Sequence, residues 1–221
     1  CLKALQQAGK KIIFVDCSGS AIGLVPETAT CNGILQAWYP GEKGGEAVAD
    51  VLWGDYNPSG KLPVTFYKNV DQIPGFEDYT MKGRTYRFMS DPLFPFGFGL
   101  SYTTFSIGEA HLSAKEMQRD GSVDLTVPVS NIGRRQGTEV LQVYVRKAGD
   151  TDGPLKTLRN FRRVKLTPGG RSEVTMNLNA DVFQFFDRGS GKMMTTPGEY
   201  ELLYGTSSAD NDLKSIKVTI L

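Results

Sequence analysis

The sequence predicts an α/β unit with a mostly parallel sheet, followed by an all-β sandwich of the immunoglobulin type. Residues 34–66 carry a short apolar run, a Pro-Gly turn, one amphipathic helix and a second Pro/Gly turn with almost no spacer, which is typical of α/β proteins. After about residue 110 the pattern changes to short runs of alternating polar and apolar residues, as strands with one buried face require. We therefore expect two domains, residues 1–107 and 108–221.

Composition excludes several classes of protein. The chain has 221 residues, of which 40% are hydrophobic and 22% are charged, so it has enough apolar material for two modest cores. A formal charge of +1 gives no overall attraction for nucleic acid or for an anionic membrane, and no apolar run is long enough to span a bilayer. Three cysteines and one histidine, without ligand spacing, predict no metal site, and no cofactor motif appears.

The first residues indicate that the chain is a piece of a longer protein. The chain starts at Cys1 without a methionine or a signal peptide, and the helical segment LKALQQAG ends at Gly9 as a C-cap would, yet the beginning of that helix is missing. Cys17 and Cys31 lie in apolar surroundings. They are interpreted either as free, small hydrophobic residues or as a disulfide, so their redox state stays open.

Two apolar runs predict a pair of parallel strands. Residues 11–15 are β-branched and aromatic, as in a strand buried on both faces, and residues 34–38 form a second run after a crossover of more than a dozen residues. That connection should be right-handed. The loops that follow the strands, residues 16–20 and 39–42, should meet at the carboxyl edge of the sheet. They are either walls of a binding site or ordinary connections.

Residues 44–54 predict an amphipathic helix that Gly54 ends. Glu42 and Glu46 lie near its start, where carboxylates oppose the positive end of the helix dipole. Capping is one role for them and a catalytic carboxylate pair is the other. The expected apolar face consists of Ala47, Val48, Val51 and Leu52.

A long irregular segment, residues 67–95, follows the short extended stretch LPVTF. Loops of this length are uncommon unless they are functional. Within it, residues 81–88 combine guanidinium groups with aromatic rings. This mixture suits a polyhydroxylated ligand, because rings stack on sugar faces while guanidinium groups donate to hydroxyls. The alternative is an inter-domain clamp, in which arginine pairs with Glu77, Asp78 or Asp91.

Six short strands separated by Gly, Pro, Asn and Asp predict the sandwich. Each strand is expected to bury one face only. Phe183, Phe185 and Phe186 form either an exposed aromatic platform for sugars or packing residues that attach the sandwich to its neighbour or fill its edge. The predicted strands are residues 122–129, 140–145, 158–166, 174–178, 200–204 and 216–220.

An ordered series of motifs resembles the C-terminal portion of glycoside hydrolase family 3, the β-glucosidase and β-xylosidase family. The resemblance runs over essentially all of the chain, and the order of the segments is far more specific than any one of them. The segments are WYPGEKGGEAVADVLWGDYNPSGKLPVTF, YRF, FPFGFGLSYTTF, SNIGRRQGTEVLQVYV and TPGEYELLYGTSS.

This resemblance implies an enzyme of three parts: a (β/α)8 barrel, an α/β sandwich domain and a fibronectin type III-like domain. The chain would supply part of the α/β sandwich and the whole third domain. The family's nucleophilic aspartate and acid/base glutamate match no position here, so we expect no catalytic residue in this chain and no activity from it alone. The chain is expected to form one wall of the substrate pocket. The residues expected to line that wall are Ser18, Trp38, Tyr39, Arg84 and Tyr86.

By the same resemblance, the intact protein is expected to be a retaining, exo-acting β-glycosidase that takes its oligosaccharide through the barrel and is periplasmic or secreted. Xylosides rank narrowly ahead of glucosides, and the linkage stays open. Exposed sheet edges would permit a homodimer. The competing interpretation is a non-catalytic carbohydrate-binding or adhesion module, in which the sandwich is the working part.

Overall fold

A computed structural model describes all 221 residues, and its first unit contains one small parallel sheet. Strands β1 (Ile13–Asp16) and β2 (Gly33–Gln36) pair in parallel with Asp16 opposite Gln36, as predicted, and the crossover between them contains a helix. A 3-10 turn, Val70–Gln72, is the only other regular element of the unit. The elements in chain order are α1 (Leu2–Gln7), β1 (Ile13–Asp16), α2 (Val25–Thr30), β2 (Gly33–Gln36), α3 (Gly44–Trp53) and α4 (Thr85–Phe88).

The first strand differs from the prediction of burial on both faces. Ile13 is 55% exposed and Phe14 and Val15 are half-buried, because a sheet of only two strands lacks the further strands and layers that would bury it. Cys17 is exposed and Cys31 is half-buried, and both are free thiols. Of the two interpretations of these cysteines, the structure therefore agrees with free thiols and not with a disulfide, although the exposed Cys17 does not lie in the apolar surroundings expected for it.

Helix α3 forms as predicted and ends at Gly54, whose φ of 85° is the left-handed conformation that glycine tolerates best. Its apolar face is only partly covered, since Ala47 is exposed. No side chain caps the first turn by a hydrogen bond, and Glu46 instead pairs with Lys43 at 3.5 Å. Glu42 and Glu46 are both exposed, so neither lines an enclosed cleft.

The second unit is a β-sandwich in which all six predicted strands are present. One sheet has the order β5-β13-β12-β7-β8, and in the other β6 pairs with β3, β4 and β9. A separate hairpin is formed by β10 and β11. The strands are β3 (Phe105–Ile107), β4 (His111–Leu112), β5 (Glu116–Met117), β6 (Ser122–Asn131), β7 (Gly137–Lys147), β8 (Thr157–Leu166), β9 (Arg171–Asn179), β10 (Phe185–Asp187), β11 (Lys192–Met194), β12 (Gly198–Gly205) and β13 (Leu213–Ile220).

The core of the sandwich follows the predicted alternation along β6, where Val123, Leu125, Val127 and Val129 are all buried. They belong to a single cluster of 19 buried residues between the two sheets. Strand β7 departs from the one-faced pattern, because residues 141–145 are buried without a break. Its second face packs on the first unit, which the period of the strand could not predict.

The three phenylalanines of the ADVFQFFD segment separate into two groups. Phe183 and Phe185 lie in the core and contact the ring of Tyr200, with centroids 5.5 and 6.0 Å apart. Only Phe186 is exposed. Two of the three rings therefore pack inside the sandwich itself, neither against the neighbouring unit nor at an edge, and a platform of three exposed rings does not exist.

Several polar contacts join the two units. The Nζ of Lys61 lies 2.7 Å from a carboxylate oxygen of Glu139, with both side chains largely buried, and the Nδ2 of Asn57 donates to the carbonyl of Gln136 at 2.9 Å. Strand β3 pairs with β6, which places residues 105–107 in the sandwich. The boundary at 107/108 stays a prediction. No helix combines the length and apolar character needed to cross a membrane.

Candidate functional site

The loop after β1 is held by polar contacts at the carboxyl edge of the parallel sheet. The Oγ of Ser18 donates to the Asp16 carboxylate at 2.7 Å, and the Nε2 of Gln36 approaches the carbonyl of Ser18 at 3.4 Å. Asp16 is buried, and the Oε1 of Gln36 is buried without a partner. Gln36 carries no sequence signal beyond being the polar residue in the middle of the apolar run 34–38. The parallel register is what brings it opposite Asp16.

The loop after β2 meets the loop after β1. Tyr39 is 79% exposed, and its ring lies so close to Gly19 that a Cβ at that glycine would fall 2.5 Å from a ring carbon. Trp38 has a φ of 56°, which is costly for a bulky residue, and its ring packs edge-on against Phe66 at 6.1 Å. Ser18, Trp38 and Tyr39 are therefore brought to one edge of the sheet, as the sequence predicted.

Arg84 is used within its own loop. Its Nη2 donates to the carbonyls of Gly75 and Asp78 at 3.1 and 2.9 Å, which closes the loop over residues 74–78. It forms no ion pair with Glu77, Asp78 or Asp91, and Asp91 pairs with Lys68 at 2.6 Å instead. The predicted clamp through a carboxylate is therefore wrong for this arginine, whose Nη2 donates to backbone oxygens instead.

Tyr86 lies at the junction between the two units. Its ring stacks on Phe96 with centroids 4.4 Å apart, meets the edge of Tyr144 at 5.7 Å, and its hydroxyl accepts a hydrogen bond from the backbone nitrogen of Leu158 at 3.1 Å. These contacts attach the irregular loop to strands β7 and β8. The structure thus separates Tyr86 from the group formed by Ser18, Trp38 and Tyr39.

Two adjacent residues, Phe66 and Tyr67, connect the two parts of the predicted site. Phe66 is buried and contacts Trp38, while the hydroxyl of Tyr67 accepts a hydrogen bond from the backbone nitrogen of Thr85 at 2.9 Å. Trp38 and Thr85 are the two non-glycine residues with positive φ, both at 56°. Such strain persists only where surrounding contacts enforce it, and it often marks functional loops.

Three carboxylates of the chain have a shifted pKa. A general acid of a glycosidase needs a raised pKa. The carboxylates with a perturbed pKa are all shifted downward, by a hydrogen bond from Ser190 at Asp187, from Lys214 at Glu109 and from Thr80 at Asp78. The chain also contains no group of three or more His, Cys, Asp and Glu side chains placed to bind a metal.

Fold and site together define a class: an α/β unit whose loops gather at the carboxyl edge of a parallel sheet, joined to a fibronectin-like sandwich. Comparison with known families agrees. Residues 1–102 match the glycosyl hydrolase family 3 C-terminal domain, and residues 139–208 match a fibronectin type III-like domain. The chain belongs to glycoside hydrolase family 3, of which it carries the C-terminal region.

Relatives cover nearly all of the chain. A xylan 1,4-beta-xylosidase of Xylanibacter ruminicola is 54% identical over 99% of the chain, which corresponds to 25% of that protein. A periplasmic beta-glucosidase of Salmonella typhimurium is 38% identical over 94% of the chain and 29% of its own length. The crystal structure of a Bifidobacterium adolescentis beta-glucosidase superposes with a TM-score of 0.88 at 31% identity, over 99% of the chain and 34% of that structure. The chain thus spans about a quarter to a third of the length of these relatives.

Proposed function

We propose that this chain forms part of the substrate pocket of a retaining, exo-acting β-glycosidase that removes terminal β-linked xylose or glucose. The observation that carries the proposal is the meeting of the loops after β1 and β2, where Ser18, Trp38 and Tyr39 share one edge of the sheet. Similarity to a xylan 1,4-beta-xylosidase over nearly the whole chain supports the xyloside as the first substrate.

The five predicted site residues have different roles in this proposal. Tyr39 offers an exposed ring for stacking on a sugar face, and Ser18 and Trp38 form the wall beside it. Arg84 is a positioning residue, because its donors shape the loop over residues 74–78. Tyr86 is also a positioning residue, since it attaches that loop to the sandwich.

The catalytic carboxylates belong, in this proposal, to polypeptide outside the 221 residues, in a barrel that also delivers the oligosaccharide. Three observations support such a partner: the two-stranded sheet that lacks further strands and layers, the exposed apolar side chains near it, and the lengths of the relatives. We also propose a periplasmic or secreted location, which the periplasmic relative supports, and a homodimer as one way to cover the exposed sheet edge.

The test is hydrolysis of p-nitrophenyl β-xyloside and β-glucoside by the 221-residue chain and by the longest protein that its gene encodes. We expect turnover from the longer protein only, with the xyloside preferred. Tyr39→Ala in that protein should raise KM about fivefold, since packing of a ring on an aromatic side chain is worth on the order of 1 kcal/mol. Trp53→Ala is the matched control, because Trp53 is 80% exposed on a different element, at the end of α3.

Two results would overturn the proposal. Hydrolysis by the 221-residue chain, abolished by Glu77→Gln, would place the chemistry inside it. A gene that encodes no barrel, with a chain that binds oligosaccharides and cleaves none, would favour a non-catalytic carbohydrate-binding module.

A further inference from the structure

A groove of about 570 Å³ lies between α4 of the first unit and one end of the sandwich. We call it the junction groove. Its walls come from α4, from the turn over residues 148–154 and from the β10–β11 hairpin. It lies apart from Ser18, Trp38 and Tyr39, none of which lines it, so the proposed substrate pocket does not account for it.

Two arginines of the junction groove have no carboxylate partner. The guanidinium of Arg87 makes no hydrogen bond at all, and its buried Nε has no acceptor. Arg159 donates once, to the carbonyl of Gln184, and its Nε is also buried without an acceptor. Burial, and then the neighbouring Arg87, lower the pKa of Arg159. Each guanidinium lies over an aromatic ring, Arg87 5.7 Å from the centroid of Phe88 and Arg159 5.2 Å from that of Phe185. Pairing with an anion would stabilise both further.

Each acidic side chain of the junction groove has a partner other than Arg87 and Arg159. Asp152 pairs with Arg188 at 2.7 Å. Asp187 accepts from the backbone nitrogen of Ser190 at 2.8 Å, and Asp150 accepts from that of Gly153 at 2.8 Å. None of these three carboxylates forms an ion pair with Arg87 or Arg159, so both guanidinium groups lack an anionic partner in the groove.

The remaining basic side chain, Lys147, is held differently, since its Nζ donates to the Oγ1 of Thr196. Two apolar side chains lie on the hairpin wall of the same groove. Phe186 is 61% exposed and Met193 is 53% exposed, and the two are cross-strand partners in the β10–β11 hairpin. Two donors with fork geometry thus share a groove with an exposed aromatic ring.

We propose that the junction groove binds a carboxylate-bearing sugar, such as the uronic acid residue of an acidic oligosaccharide. Arg87 and Arg159 would hold the carboxylate, because the planar guanidinium fork matches its two oxygens. Phe186 would stack on the sugar ring. The site requires neither catalysis nor the polypeptide that the proposed pocket shares, so it stands or falls separately from the proposed function.

Isothermal titration of the 221-residue chain tests this site with three probes: methyl β-glucuronide, neutral methyl β-glucoside and acetate. We expect the glucuronide to bind at least about tenfold more tightly than either of the others, since it alone satisfies both the arginines and the ring. Equal affinity for glucuronide and glucoside would overturn the proposal. Equal affinity for glucuronide and acetate would overturn it too, by showing a site for simple oxyanions.

Variants assign the binding to the named residues. Arg87→Gln should weaken glucuronide binding about tenfold or more, and Arg87→Lys should recover only part of that loss because lysine lacks the fork. Phe186→Ala, a surface change that spares the fold, should weaken it several-fold. Arg162→Gln is the charge-matched control, since Arg162 is exposed outside the groove. Unchanged affinity in both Arg87→Gln and Phe186→Ala would rule out the groove as the site.

Discussion

The sandwich encloses 19 buried side chains in one cluster, whereas the first 104 residues bury only three large apolar side chains, Ile12, Leu24 and Phe66. The first unit also exposes Phe76, Tyr79 and Trp53 to 94%, 88% and 80%. Two antiparallel sheets bury their own inner faces, but a parallel sheet of two strands needs further layers.

This difference shows where the stability of the chain resides. The sandwich has a complete core, and strand β7 extends burial to its outer face through Gln142 and Tyr144. The first unit is supported by that face through Gly97 and Tyr86. It follows that damage to the sandwich core should unfold the chain, while truncation of an exposed side chain in the first unit should not.

The largest expected effect compares two phenylalanines of opposite exposure. Phe183→Ala should lower the free energy of unfolding by about 3–5 kcal/mol, because it leaves a cavity beside Tyr200. Phe76→Ala should change it by less than about 0.5 kcal/mol, since that ring has almost no contacts to lose. Urea titration followed by circular dichroism measures both. Similar losses would mean that the two units share one core.

A second set of variants tests the buried ion pair between the two units instead of the core of either unit. Lys61→Met should lower the free energy of unfolding by about 3 kcal/mol, because it leaves the Glu139 carboxylate buried without its cation. Combining it with Glu139→Leu should restore most of that loss, as apolar replacement of a whole buried pair often does. The same urea titration applies. Failure of the double variant to recover would show that the pair is needed for more than mutual neutralisation.

Alkaline pH should weaken the sandwich through its buried phenols. Burial, and then Tyr86, raise the pKa of Tyr144, and burial also raises the pKa of Tyr204. The folded state therefore retains protons that the unfolded state loses, so the stabilisation is complete below pH 10, the ordinary pKa of tyrosine, and is lost as the pH rises above it. Tyr144→Phe should make the urea midpoint fall less steeply above pH 10. An identical pH profile in the variant would contradict this.

The smallest effect concerns backbone strain in the first unit. Thr85→Gly should raise the free energy of unfolding by up to about 1 kcal/mol, because glycine adopts a φ of 56° without a steric cost. Thr126→Gly, in the middle of β6, should instead lower it by about 1 kcal/mol. A loss of stability in Thr85→Gly would show that the hydrogen bond from the Arg87 backbone to the Thr85 hydroxyl outweighs the strain.

Much of the fold was predictable because its signals are local. The alternation along β6 and the glycine that ends α3 each depend on a few neighbouring residues, and both are confirmed. The parallel pairing of β1 and β2 followed from the length of the crossover. Burial was harder to predict, because the exposure of Ile13 and Cys17 depends on which layers surround them.

The candidate site also has one part that the sequence predicts and another part that it does not. Ser18 and Tyr39 could be placed together because the carboxyl ends of parallel strands share an edge. The use of Arg84 by backbone carbonyls, and the place of Tyr86 between the units, required the folded loop. The type of a residue determines which hydrogen bonds or stacking contacts its side chain can form. Which partners Arg84 and Tyr86 contact depends on the conformation of residues 67–95.

Sequence alone determined the two classes of unit, the positions of the six long strands of the sandwich along the chain and the family to which the motifs belong, since periodicity and turn residues act over a few positions. Tertiary structure decided that β7 is buried on both faces, that Phe183 and Phe185 fill the core while Phe186 does not, and that Arg87 and Arg159 share a groove. The physical reason is that burial and charge pairing depend on contacts between segments that are distant in the chain. A local sequence pattern does not predict such contacts.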